Sequence, residues 1–346
     1  MNVDFLIVGQ GLAGSLLAWQ LMRQGYKIVI IDNGLENASQ IAAGLINPIT
    51  GMRLVKSADV DSFLPVAKDF YVGLSHFFQQ DFYIEKPMLR IFNSDKERGY
   101  AEKRLNNPDY QPYLGDMHTA IKPLKTPFGY LSQQQTGYLL TRSLLSCLKD
   151  FFIAKQCYQQ LAFDGADIQF QPTLRWHNII AKRIIFCEGY QAIQNPYFDW
   201  LPFQPVKGEI LTLAHHHILP DTILNYGHWL IPLSEAKVRV GATFDWKNLN
   251  NQPTEQGKNT LLNSLNSVLD DFQFMLLDHQ ANVRPCTLDK QAFIGFHPQH
   301  PQLAIFNGFG AKGSLQIPHY AQQFANSLSH NAPLPTTATI QRYVTA

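Results

Sequence analysis

Little in this chain runs to an extreme, and each missing extreme closes off a class of protein. No stretch approaches the ~18 uninterrupted apolar residues of a membrane helix. The N-terminus has neither a basic lead nor a small-residue cleavage site. Four cysteines (Cys147, Cys157, Cys187 and Cys286) are scattered, with no C-x-x-C pair. Thiols so spaced suit a reducing compartment better than a disulfide framework. Formal net charge is +1, without a basic block or an acidic tail, so charge makes no case for binding nucleic acid. Internal repeats and low-complexity segments are missing too. A cytoplasmic protein with no membrane span is expected.

What is present describes an ordinary globular chain. Apolar residues make up 45% and charged residues 16% of 346 positions, enough for a sizeable core. That length implies two domains or one elaborated α/β unit. His215-His216-His217 invites a metal reading, but adjacent strand residues point to opposite faces and cannot all converge on one ion. The triplet reads as an exposed turn, and no metal is expected.

Gly9-Gln10-Gly11-Leu12-Ala13-Gly14 lies between the apolar run Val3–Val8 and a helical stretch over Ser15–Gln24. Gly25 ends the helix, and Lys27–Ile31 forms a second buried strand closing on Asp32. That context makes a weak glycine pattern a strong dinucleotide site, with a βαβ unit of about thirty residues. Gly9 permits the tight turn, Gly11 lets a pyrophosphate approach the backbone, and Gly14 lets the helix pack closely. The positive helix end faces phosphate charge, and Asp32 is placed to accept from an adenosine ribose, with Asn33 beside it.

The rest of the chain reads as two woven units. Ala42-Ala43-Gly44-Leu45-Ile46-Asn47-Pro48 is an extended loop needing close backbone approach. Helices are expected over Val60–Phe78, Thr141–Phe152, Thr260–Leu269 and Ile317–Ser329, with short strands and turns over Tyr83–Tyr130. Strands are expected at Arg183–Gly189, Gly208–Leu213, Trp229–Pro232, Lys237–Thr243 and Leu303–Asn307. The chain would return to its first sheet at Gly189 and again at the glycine turn Gly308-Phe309-Gly310-Ala311-Lys312-Gly313.

These blocks, in this order, resemble the FAD-dependent D-amino-acid oxidase superfamily. The resemblance also rests on Pro205-Val206-Lys207-Gly208-Glu209-Ile210-Leu211 and on Arg284-Pro285 through Asp289 and Gly295. It implies an α/β fold: a Rossmann-like FAD-binding domain interwoven with an antiparallel-sheet α+β substrate domain. The expected divisions are 1–82, 138–204 and 285–346 for the first, and 83–137 and 205–284 for the second. It implies FAD, with Ala43, Gly44 and Leu45 along the pyrophosphate and flavin edge. Gly189, Gly310, Lys312, Gly313, Ser314 and Leu315 complete the expected cradle, where a helix N-terminus would stabilise negative charge on reduced flavin. Pro318 is expected in the first turn of that last helix. Some relatives tether flavin through a cysteine near Arg284, but Cys286 aligns four positions away, so non-covalent FAD is expected.

Arg284 matches the arginine with which several members clamp a substrate carboxylate, a task suited to a planar, always-charged fork. Lys312 would add positive charge near the flavin. Where the family often has a tyrosine beside Ile231-Pro232, this chain has Trp229 and His228, with Tyr226 nearest. The implied reaction oxidises the C–N bond of an amino acid or secondary amine by hydride transfer to flavin N5, giving an imine that hydrolyses. The electron acceptor stays open, so oxidase and dehydrogenase stand side by side. Two alternatives remain: flavin-dependent removal of a carboxymethyl group from a modified tRNA uridine, and a non-catalytic flavin-binding protein.

Overall fold

Strands that are apolar on both sides must be covered on both faces, and the first sheet is built that way. A computed structural model describes residues 1–269, 273–330, 332–334 and 336–344. Asn2–Val8 pairs in parallel with Ile28–Asp32 on one side and with Ile179–Phe186 on the other. Tyr158–Gln160 extends the sheet past Ile28–Asp32, and Leu303–Asn307 joins Ile179–Phe186, again in parallel. Helices Leu12–Arg23, Val60–Phe78 and Gly313–His330 belong with one face, whose core holds Leu16, Tyr71, Phe306 and Phe324. Trp176, Phe186, Phe198 and Phe293 fill the other. Among the described residues, no helix is long and apolar enough to cross a membrane.

The middle of the chain makes a second sheet. Its strands run in the order Phe274–Arg284, Val206–His215, Lys237–Gly241, Trp229–Ser234, Ile223–Asn225, Met88–Ile91, Tyr130–Gln133 and Leu114–His118. Alternation sends Leu211, Leu213, Leu230, Val238 and Val240 to one face, where helix Glu255–Asn266 seals them with Leu261 and Leu265. Lys207 and Glu209 point the same way. Lys207 is fully buried, donates to Asn250 Oδ1 at 3.1 Å, and lies 3.6 Å from Glu209. Glu209 in turn accepts from the Thr254 amide at 2.9 Å and hydroxyl at 2.8 Å, and meets His279 Nε2 at 2.8 Å. This network fastens the helix entry to the back of the sheet, and it frees the other face for a site.

Several local expectations need correction. Residues 83–130 contain a helix, Asp95–Leu105, as well as strands. It buries only Glu97 and Ala101, so it carries no apolar stripe to reveal it. Ser94, whose side chain accepts from the Glu97 amide, is the signal that marks its start. Helix Glu255–Asn266 begins earlier than Thr260, because Thr254 Oγ1 accepts from the Gly257 amide at 3.0 Å. The histidine triplet is not an exposed turn throughout: His215 is buried at the end of its strand, and burial pushes its imidazole below the ordinary value.

Pro318 is not in the first turn of the last helix, which begins at Gly313. A proline inside a helix has no N–H for the carbonyl four residues earlier, here that of Ser314. The Tyr71 hydroxyl takes that place, donating to the Ser314 carbonyl at 2.7 Å from a wholly buried ring. Helix Val60–Phe78 thereby repairs the start of helix Gly313–His330. Tyr71→Phe is expected to leave a buried carbonyl unpaired and cost about 1–3 kcal/mol, measured as a lowered urea midpoint at unchanged slope. An unchanged midpoint would mean that the carbonyl has another partner.

Candidate active site

The glycine loop folds as its spacing requires. A Cβ on Gly14 would come within 2.0 Å of the Gly9 carbonyl oxygen, and one on Gly9 within 2.6 Å of the Cys187 carbonyl oxygen. Those two glycines therefore serve close packing of helix and strand ends. Gly11 is different: a Cβ there would meet only the Ser39 hydroxyl, at 3.4 Å, and the Asn37 side chain, at 3.9 Å. Its backbone caps the N-terminus of helix Leu12–Arg23 with no side-chain cap. The Leu12 amide donates to Ser39 Oγ at 3.1 Å, while Ala13 is half-buried at the same helix end. A helix N-terminus whose capping residue has no side chain, with only Ser39 at its first amide, fits a phosphate. The Asp32 carboxylate accepts from the amides of Gln10 at 2.7 Å and Gly34 at 2.8 Å, which leaves lone pairs on both oxygens. It shapes the loop; Asn33 likewise holds the Leu35 amide at 2.9 Å.

The other cradle pieces come together from far apart in sequence. Asn307 Nδ2 donates to the Gly189 carbonyl at 2.9 Å, tying two strand ends of the first sheet. Gly189 takes φ +62 with nothing within 4 Å of a Cβ. The Gly310 amide donates to the Pro285 carbonyl at 3.2 Å, and a Cβ on Gly310 would lie 3.1 Å from Cys286 Sγ. The glycine turn before the last helix thus rests on the segment that follows Arg284. Ser314 and Leu315 are buried in the first turn of that helix, and Gly313 is half-buried. Lys312 is exposed, and burial of part of its stem together with Lys290 pushes its ammonium below the ordinary value. The Ala43-Gly44-Leu45 loop packs on the strand Gly137–Leu139. A Cβ on Gly44 would be 2.1 Å from the Leu139 carbonyl oxygen, so this glycine serves packing.

Arg284 ends its strand opposite Val206, on the sheet face away from Lys207 and Glu209. Its guanidinium lies across Gly208, where a Cβ would come within 2.0 Å of Nη2. Both terminal nitrogens donate to the Thr243 carbonyl, at 3.3 and 3.4 Å, and the group sits 4.8 Å from the centre of the Phe244 ring. Burial holds its pKa below the usual guanidinium value, and no carboxylate is among the charges acting on it. Among the described residues, then, a half-buried cation is paired with one peptide oxygen and a ring face. An anion is what it lacks.

Trp229 shares that face. Its indole crosses Gly241, where a Cβ would be 2.4 Å from the ring, and packs with Ile210, Ile41 and Ala242. Tyr226 belongs to the opposite face, in the cluster under helix Glu255–Asn266, and His228 Nδ1 there meets Ser264 Oγ at 2.9 Å. Only Trp229 of these three therefore looks toward the loop Ala43–Leu45. Farther along the same face, Arg239 donates to the Ile41 carbonyl at 2.6 Å and borders a cleft of 640 Å³ with Gln40, Ala43, Tyr138 and Gln280. Neither Arg284 nor Trp229 lines that cleft. Sequence reasoning passed over Arg239. The alternation of Lys237–Gly241 was its signal, because it sets Arg239 among the residues facing the loop.

A second residue the sequence did not single out is Glu188, between Cys187 and Gly189. Its Cα lies 3.5 Å from where a Gly9 Cβ would stand, and Asn195 Nδ2 donates to its carboxylate at 2.7 Å. Burial pushes this carboxyl up to about 7. A raised acid pKa means that folding favours the protonated form. Stability is unaffected below the ordinary carboxylate value near 4.5, falls as pH rises toward 7, and stays lower above it. Glu188→Gln keeps an acceptor for Asn195 and removes that slope. The variant is expected to match the parent at pH 4.5 and exceed it by up to about 3 kcal/mol at pH 8, read from urea unfolding at both values. Parallel pH profiles for the two proteins would refute this.

Glycine oxidase from Pseudomonas aeruginosa is 22% identical over 361 residues, covering 96% of this chain and 97% of that protein. The tRNA 5-methylaminomethyl-2-thiouridine biosynthesis bifunctional protein MnmC of Leptospira interrogans is also 22% identical, across 98% of this chain. The chain spans 59% of that protein's length. The crystal structure of glycine oxidase from Geobacillus kaustophilus superposes with a TM-score of 0.83 at 18% identity, covering 96% of this chain and 95% of that one. The family model described as FAD dependent oxidoreductase (DAO) matches residues 4–327. With that match over nearly all of its length, the chain belongs to the DAO family of FAD-dependent oxidoreductases.

Proposed function

We propose that this oxidoreductase acts on the C–N bond of an amino acid or a glycine-type secondary amine, held by its carboxylate on Arg284. The carrying observation is the half-buried guanidinium that has a peptide carbonyl and a ring for partners but no carboxylate. Gly11, with Leu12 and Ala13, would hold the FAD phosphates, in a turn that Gly9 and Gly14 keep tight. Asp32 and Asn33 would set the ribose end. Ala43, Gly44 and Leu45, with Gly189, Gly310, Lys312, Gly313, Ser314 and Leu315, would line the flavin end. FAD bound there, non-covalently, supplies the acceptor for a hydride leaving the carbon between nitrogen and carboxylate.

The side chains then have limited tasks. Arg284 fixes the carboxylate and, through it, the direction of the reacting C–H bond. Trp229 walls the same face and keeps water away from it; an indole has one donor and no acceptor, so it selects by shape. Lys312 and the first turn of the last helix place positive charge where reduction adds negative charge. Among the residues on this face none is needed as a base if the amine binds neutral. The expected products are a carbonyl compound and an amine or ammonia.

Anaerobic mixing with glycine, N-methyl amino acids and D-amino acids tests the reaction class: at least one should bleach the oxidised flavin band. Arg284→Lys should lower kcat/KM by about 10²-fold or more, mostly through KM, since a lysine cannot reproduce the fork. Loss of bleaching in every case, or an Arg284→Lys enzyme with parental kcat/KM, would overturn the proposal.

A second reading is favoured by the likeness to MnmC across nearly the whole chain. An N–CH₂–COO⁻ group on a modified tRNA uridine contains the same glycine-like fragment, and Arg284 would serve it equally. The net charge of +1 is against tight binding to RNA. Retention on bulk tRNA at low salt, lost steeply as salt rises, would favour it. Passage through the tRNA column at low salt would remove it.

A further inference from the structure

Away from Arg284, a cavity of 260 Å³ opens between the first turn of helix Val60–Phe78 and the middle of helix Gly313–His330. Three rings line it. Phe63 meets His319 edge-on, with centroids 4.9 Å apart, and packs against Tyr320 at 5.2 Å. Phe63 and Tyr320 are buried, His319 is half-buried, and the Tyr320 hydroxyl is held by Thr337. The rings are therefore fixed in place. None of these residues belongs to the candidate active site.

Two acceptors that line the same cavity have nothing to accept from. Asp59 stands at the N-cap of helix Val60–Phe78, where an aspartate side chain ordinarily takes the first free amides. This side chain makes no cap bond. The Asp59 backbone carbonyl receives the amides instead, from Ser62 at 3.0 Å and Phe63 at 2.9 Å. Among the described residues its carboxylate has no ion-pair partner. Gln323 Oε1 is buried and has no donor either, which is unfavourable for a carbonyl oxygen out of water. Burial holds the His319 imidazole below its ordinary pKa, so at pH 8 it offers the cavity a ring and not a charge.

These features select one kind of ligand. A hard metal ion needs several oxygens around it, and the described residues contain no metal-binding cluster. Asp59 repels an anion, and a neutral apolar group would leave both acceptors unpaired. A compact organic cation answers all of them, with charge for the carboxylate and the ring faces, and an N–H for the amide oxygen. We infer that this cavity binds a small alkylammonium ion, at a site separate from Arg284. Phe63, His319 and Tyr320 form its walls, Asp59 is the counter-charge, and Gln323 Oε1 accepts from the ammonium N–H. The volume admits a short branched alkyl chain.

Calorimetry of the FAD-loaded protein at pH 8 tests this with isopropylammonium chloride, its neutral counterpart isopropanol, and sodium chloride. Isopropylammonium should bind saturably, with a Kd of about 1 mM. Isopropanol should not bind, and sodium at the same concentration should not displace the ammonium ion. Asp59→Asn removes the charge and keeps a residue suited to the left-handed backbone there, so the variant folds. It should weaken binding by about tenfold or more, and Phe63→Leu by about threefold. Arg284→Gln should leave the affinity unchanged. No saturable binding, equal binding of isopropanol, displacement by sodium, or an affinity unmoved by Asp59→Asn would each overturn the site. Weakening by Arg284→Gln in place of Asp59→Asn would put the ion at the other site and overturn this one.

Discussion

A half-buried guanidinium without a carboxylate partner is the constraint around which this molecule is arranged. Removing a cation from water is expensive, and one peptide oxygen does not offset it. Gly208 has no side chain because the Arg284 fork lies across it, and Gly241 has none because Trp229 crosses it. Both glycines are on the sheet face turned toward the loop Ala43–Leu45. The opposite face takes the tension: Lys207 and Glu209 are tied to Asn250, Thr254 and His279, so the strand carrying Gly208 cannot shift to relieve the crowding. Rigidity at the back makes room at the front.

The same residue couples the two sheets. Arg284 ends a strand of the second sheet, and Pro285 directly after it accepts from the Gly310 amide in the turn that opens the last helix. That helix packs in the core of the first sheet, and its broken hydrogen bond at Pro318 is mended by Tyr71 from another helix. Where Arg284 would hold a substrate carboxylate and where the last helix points are therefore fixed by one short stretch of chain. An error in the packing of either sheet would reach both.

The glycine loop was legible because each of its residues answers a local demand: turn, approach and close packing follow each other within six positions. Arg284 was legible by resemblance, and its meaning came from what surrounds it in space. Phe244 and Trp246 carry no signal in the sequence, since nothing local says that their rings stay in solvent. Glu188 was invisible for a related reason, and the strand alternation that places Arg239 on its face says nothing of what meets it there. An arginine in an alternating strand and a glutamate before a glycine acquire significance only through the loop and the phosphate turn that fold against them. Helix Asp95–Leu105 was missed because a helix that buries almost nothing leaves no periodic trace, and its Ser94 cap was the one cue. The His215 strand end shows the converse error, where three polar residues suggested solvent and the first of them is buried.

The claim that Arg284 is an anion site facing the flavin can be tested without any turnover. Acetate titrated into the FAD-loaded protein should perturb the flavin absorption spectrum along a saturable curve. Arg284→Gln, which keeps polarity and removes charge, should abolish that perturbation while leaving FAD bound. Equal perturbation in the variant, or none in the parent at saturating acetate, would contradict the central role given to this side chain.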